Sequence, residues 1–207
     1  MEMDLKNFHT FGDSHSGFGW NKINGIKKNH LGPILCYSFG KEKLKRLNIK
    51  NPKYRVKEGD SVIFCFGEID CRCHVHKYDT KKTPYNVIID NMVENYLKAI
   101  KENVLQFKKL NVFVFNVVPP LRDNHLVVIK NNKKNPFPFL GDEKQRKTYV
   151  NHFNQKLKDG CLDYGYIFLD VYKDYSDKEG FLFEKYSDGH VHIDNPIYIK
   201  RFLDRYE

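Results

Sequence analysis

A serine hydroxyl becomes a useful nucleophile only when an imidazole takes its proton, and the imidazole needs a carboxylate to hold its tautomer and stabilise its charged form. The 207-residue sequence carries these three groups near its two ends. Ser14 lies in FGDSHS, and Asp188 and His192 lie in SDGHVH. Gly12-Asp13-Ser14 alone is ordinary turn chemistry, so the serine gains meaning from the acid and base that accompany it. Two histidines, His190 and His192, compete for the role of base. On a helical turn, positions four apart share a face and positions two apart do not. The spacing therefore predicts a turn that pairs Asp188 with His192 and leaves His190 at the rim. A free imidazole titrates near pH 6.5, so activity is expected to rise with an apparent pKa of about 6 to 7.5, the carboxylate tending to raise it.

Elements that could bring such distant residues together are visible as five short apolar runs, at roughly 6–11, 33–39, 61–66, 111–118 and 166–171. Helix-like stretches cover 41–47, 85–107, 143–162 and 196–206. In the longest, Val87, Ile88, Met92, Tyr96, Ile100 and Val104 recur at three- and four-residue steps, the mark of one buried face. Runs such as SVIFCF and NVFVFNVV do not alternate with polar residues, which suits parallel strands covered on both faces. The expectation is one α/β domain over 1–207, a three-layer α/β/α sandwich around a mainly parallel five-stranded sheet. Ligands of such sheets bind beyond the carboxyl ends of the strands. Gly12, Asp13, Ser14 and His15 follow the first run there, Gly67 to Arg72 the third, and Asn116 with Pro119 and Pro120 the fourth. Residues 121–140 lack periodicity and are expected to form a long loop at the edge of the site.

Composition narrows the class. With 41% hydrophobic and 29% charged residues the chain reads as a soluble globular protein. No apolar run approaches the roughly 20 residues that span a bilayer, and MEMDLKNFHTFGDSH lacks the order of a signal peptide, so a cytoplasmic location is expected. Five cysteines are an odd number, and Cys36 and Cys65 sit in apolar runs, which argues against a disulfide scaffold. The net charge of +9 comes from lysines spread along the chain without a binding motif, which disfavours a nucleic-acid partner. Cys71, Cys73, His74 and His76 are zinc-ligand types, yet no second Cys/His pair follows at finger spacing. No metal or organic cofactor is expected. Oligomeric state is not legible in the sequence. His15, His30, Trp20, Phe137 and Phe139 receive no role.

The order of these blocks resembles the SGNH (GDSL-like) hydrolase superfamily over nearly the full length. The resemblance implies its flavodoxin-like fold, with Ser14 as nucleophile and its N–H as one oxyanion donor. A second block supplies a glycine N–H, matched here by Gly32 in HLGP, with Gly40 in YSFG as the alternative. The third block, Gly-x-Asn-Asp in the superfamily, is Gly67-Glu68-Ile69-Asp70, so its asparagine is missing. Losing one oxyanion donor costs about 3 to 4 kcal/mol of transition-state stabilisation, which makes Arg72 and Asn116 candidate substitutes. Asp13, Glu68 and Asp70 complete the expected site. The last block, Asp-x-x-His in the superfamily, is one residue longer here. The implied activity is a serine esterase or deacylase working through an acyl-enzyme, with an acetyl group on a carbohydrate as the expected ester. A glycan O-acyltransferase using the same serine, or an inactive carbohydrate-binding or scaffolding protein, are the alternatives.

Overall fold

Unbroken stretches of β-branched and aromatic residues can be buried on both faces only inside a sheet. A computed structural model of the chain describes residues 7–125 and 137–206, and four of its five strands are built from such stretches. The strands are β1 (Phe8–Gly12), β2 (Lys27–His30), β3 (Ser61–Cys65), β4 (Asn111–Phe115) and β5 (Ile167–Leu169). They pair in the order β2-β1-β3-β4-β5, every pair parallel. Successive side chains of a strand leave on opposite faces. Val62, Phe64, Val112 and Val114 accordingly enter one core and Ile63, Cys65, Phe113 and Phe115 the other.

The first core is roofed by α1 (Cys36–Glu42), α3 (Tyr85–Val104) and α4 (Glu143–Tyr164), and a short α2 (Val75–Tyr78) continues a π-helical turn at Asp70–His74. The second is closed by Trp20, by Tyr175 of α5 (Tyr172–Tyr175) and by Ile199 and Leu203 of α6 (Ile197–Leu203). The buried face of α3 runs through Ile89, Met92, Val93, Tyr96, Leu97 and Ile100, whereas Val87 in its first turn is exposed. Helix α4 starts with a reciprocal cap between Asp142 and Gln145 and stops at Gly165 in the left-handed region.

One strand lies elsewhere than expected. The apolar run 33–39 is not a strand; its second half opens α1, and the second strand is the polar KKNH segment, largely exposed at the sheet edge. An edge strand needs no apolar face, and lysines there discourage pairing with other chains. Gly40 sits inside α1, where an added Cβ would lie 3.1 Å from the backbone of Asn95 and Tyr96 in α3. It permits a close helix crossing and is not at the strand ends, which removes it as the oxyanion glycine. Of the loop expected over 121–140, residues 126–136 lie outside the described residues. All five cysteines are buried free thiols. Among the described residues, no helix is long and apolar enough to cross a membrane.

Candidate active site

The site begins where β1 ends. Gly12 pairs with Cys65 of β3, and a Cβ at position 12 would fall 1.9 Å from the Cys65 carbonyl oxygen, so only glycine fits. The chain then turns into a 3-10 segment, Ser14–Ser16, capped by the Asp13 carboxylate, which accepts from the His15 backbone N–H. This turn lifts Ser14, half-buried, above the carboxyl edge of the sheet. Gly67 has a comparable reason at the end of β3. Its φ is +116°, and a side chain would collide with Phe153 and Val117.

His192 Nε2 lies 2.9 Å from Ser14 Oγ, and His192 Nδ1 lies 2.7 Å from Asp188 Oδ2. The other Asp188 oxygen accepts from the backbone N–H groups of His190 and His192 at 2.8 and 3.3 Å. These distances are those of a serine–histidine–carboxylate relay in hydrogen-bonding reach throughout. The loop is not the helical turn expected. Ser187 and Ile193 form an antiparallel bridge, the Asp188 N–H donates to the His192 carbonyl, and Gly189 turns the tip with φ +83°. Asp188 and His192 therefore face each other across a hairpin-like loop, and His190 is exposed at its tip. The pairing is the expected one, for a different geometric reason.

Phe18 stacks on His192 at 4.0 Å between ring centres, and the His15 ring lies 4.9 Å away at a tilt, so the base has two aromatic neighbours. His15 in turn places Nδ1 2.9 Å from Asp13 Oδ1 and Nε2 3.2 Å from the Val191 carbonyl oxygen. Burial and the nearby charge of His15 hold His192 below the ordinary imidazole range, against the upward pull of Asp188. The expected rise from the carboxylate is thus outweighed. Burial would raise Asp188, but its hydrogen bond to His192 keeps it low and ionised.

The third-block residues have other duties than those expected of them. Arg72 binds Glu68 through Nε and Nη2 at 2.7 and 3.1 Å, donates through Nη1 to the Phe137 carbonyl, and lies over the Phe139 ring. Burial would raise Glu68, yet Arg72 and His15 hold its carboxyl low. Asn116 is also committed, its amide donating to the Val117 carbonyl and its oxygen accepting from the Val171 N–H, which ties β4 to the segment after β5. Both side chains are thus committed to partners within the protein rather than left free, as an oxyanion donor would be. Asp70 is fully buried and accepts from the N–H groups of Cys36 and Tyr37 at 2.7 and 3.2 Å, so it caps α1. Burial raises it to about 7. Gly32, with φ +85°, follows β2 at the same sheet edge as Ser14 and has open space where a Cβ would stand. Cys71, Cys73, His74 and His76 do not converge: the cysteines are buried, His74 stacks with Tyr78 and meets Phe137 at a tilt, and His76 contacts Tyr149. Among the described residues, no three His, Cys, Asp or Glu side chains are grouped to hold a metal ion. Trp20 is fully buried in the second core.

No protein-family model and no curated protein matches the sequence. Solved structures do match over nearly the whole chain. A GDSL-like lipase from Bacteroides thetaiotaomicron superposes with a TM-score of 0.61 at 12% identity, covering 99% of this chain and 89% of its own. A catalytic mutant of an acetylxylan esterase from Geobacillus stearothermophilus gives 0.55 at 13% identity, covering 96% and 92%. The lipase/acylhydrolase from Enterococcus faecalis gives 0.53 at 14% identity, covering 96% and 93%. The parallel sheet and its helices are those of the SGNH (GDSL-like) hydrolase fold. At these identities the likeness is one of fold, and the case for chemistry rests on the residues above the sheet.

Proposed function

We propose that this protein is a serine esterase or deacylase acting through an acyl-enzyme on Ser14, and that it removes a small acyl group, acetyl above all, from a carbohydrate. The observation that carries the reading is the continuous contact from Ser14 Oγ through His192 to Asp188. In the first half-reaction the Ser14 hydroxyl proton passes to His192 Nε2 as Oγ bonds to the carbonyl carbon. The tetrahedral intermediate collapses by breaking the bond to the alcohol oxygen, which takes the proton back from the imidazolium. Water then repeats the sequence on the acyl-enzyme and releases the acid. Asp188 stays ionised and balances the imidazolium. The oxyanion would be met by the backbone N–H groups of Ser14 and Gly32, since Arg72 and Asn116, the candidates to replace the asparagine missing at Ile69, are engaged with other partners. The acetyl-carbohydrate preference is supported by the acetylxylan esterase among the neighbours. No cofactor enters this scheme.

A fluorophosphonate probe together with p-nitrophenyl acetate tests the reading. Wild-type protein should be labelled and should turn over the ester, and folded Ser14→Ala protein should do neither. Equal labelling or turnover in Ser14→Ala would remove Ser14 as nucleophile. Acetylated xylan and other acetylated glycans, with product analysis for free acetate against acetyl transferred to an added glycan, then decide substrate and acceptor.

A further inference from the structure

His15 is a buried histidine beside the nucleophile that the relay itself does not use. Its two ring nitrogens face Asp13 Oδ1 at 2.9 Å and the Val191 carbonyl at 3.2 Å. A carboxylate and a carbonyl can only accept, and a neutral imidazole has one N–H. A neutral His15 would therefore set a lone pair against an acceptor in a buried place. Asp13 Oδ2, also buried, meets no donor among the described residues, so the carboxylate depends on His15 for a counter-charge.

We propose that His15 is a permanent imidazolium that bridges Asp13 to the Val191 carbonyl and so acts as a positioning residue for the loop carrying His192. The bridge joins Asp13, the residue before the nucleophile, to Val191, the residue before the base and 176 positions from His15, and leaves a positive charge beside the base. The groups facing the two rings are Asp13 from the turn after β1, Glu68 from the segment after β3 with Arg72 on its far side, and Asp188 across the C-terminal loop. Burial opposes the charge on His15, but Asp13 and Glu68 outweigh it and raise its pKa. The reverse holds at His192, where burial and His15 together disfavour the proton. The base is then free at lower pH than an ordinary histidine.

The positioning role rests on the reading of Ser14 and His192 given above, but the charge state of His15 does not, and the two are tested separately. Nitrogen-15 spectra of the wild-type protein at pH 7.5 should find both His15 ring nitrogens protonated while His192 is neutral; one bare nitrogen on His15 overturns the proposal, whatever the activity. The second arm uses His15→Gln, which keeps a side-chain donor for Val191 and removes the charge. Repulsion between two unit charges at the 4.9 Å ring separation corresponds to about two and a half pH units at an effective dielectric near 20, an upper bound before solvent screening. Asp13 and Glu68 remain in the variant, so the term removed is the one between His15 and His192. Removing the charge makes His192 easier to protonate, so the acid limb of kcat/KM for p-nitrophenyl acetate should move up, by at most about that amount. An unmoved limb in folded His15→Gln also overturns the proposal. Wild-type protein without any turnover would instead refute the esterase reading, with the spectra still deciding His15.

Discussion

Asp188→Asn separates charge from shape in the relay. The oxygen of Asp188 that accepts from the His190 and His192 backbone N–H groups can be kept by the asparagine carbonyl, so the loop retains its form. What changes is the atom 2.7 Å from His192 Nδ1, which becomes an N–H donor. His192 must then carry its proton on Nε2, the atom that faces Ser14, and can no longer accept the serine proton. The lost charge adds to this. His192 and Asp188 are only 14% and 17% exposed, and opposite charges centred about 4 Å apart interact by about 4 kcal/mol at an effective dielectric near 20. That corresponds to about 10³ in kcat, and the wrong tautomer should bring the loss towards about 10⁴. Initial rates with p-nitrophenyl acetate from pH 5 to 9, beside a thermal melt followed by circular dichroism, provide the measurement. An Asp188→Asn enzyme within tenfold of wild type, with an unchanged melt, would refute the argument and leave Asp188 as a loop residue only.

Replacing His192 with alanine should lower kcat by about 10³ or more, whereas His190→Ala should keep most of it, because His190 is exposed at the loop tip. The opposite ranking at saturating ester would reverse the assignment. Asn116→Ala should cost about 2 kcal/mol in urea unfolding by leaving the buried Val171 N–H without its acceptor, with kcat changed less than tenfold. A hundredfold loss of kcat at full stability would return Asn116 to the oxyanion site.

Strands β1, β3, β4 and β5 and helices α3 and α4 were legible because each writes its burial into local composition: SVIFC is apolar on both faces, and α3 repeats at three and four. Strand β2 was not, since KKNH at the sheet edge has no face to bury and its register comes entirely from β1. The run 33–39 misled for the converse reason. Its apolar residues serve the start of α1, whose cap, Asp70, comes from 34 residues further on. In the site, the Asp188 and His192 pairing could be read from spacing, but a four-residue offset suits a hairpin as well as a helical turn, and only the Ser187 to Ile193 bridge tells them apart. Asn116 and Arg72 looked available because residue type and placement say nothing of prior commitments. Those commitments, to Val171 and to Glu68, depend on tertiary approach. The same is true of His15, whose neighbour Val191 gives no signal at position 15.

The chain has a single tryptophan, and it is not an arbitrary one. Trp20 is fully buried, meets Phe115 edge-on at 5.5 Å between ring centres, and donates its indole N–H to the His15 carbonyl at 2.9 Å. Intrinsic fluorescence excited at the red edge therefore reports on one place only, the turn that presents Ser14. During refolding, that optical signal would mark the moment the turn docks on the sheet, while recovery of ester turnover waits for the C-terminal hairpin to arrive. Any lag between the two traces would time the last step in building the relay, with no dye or added label.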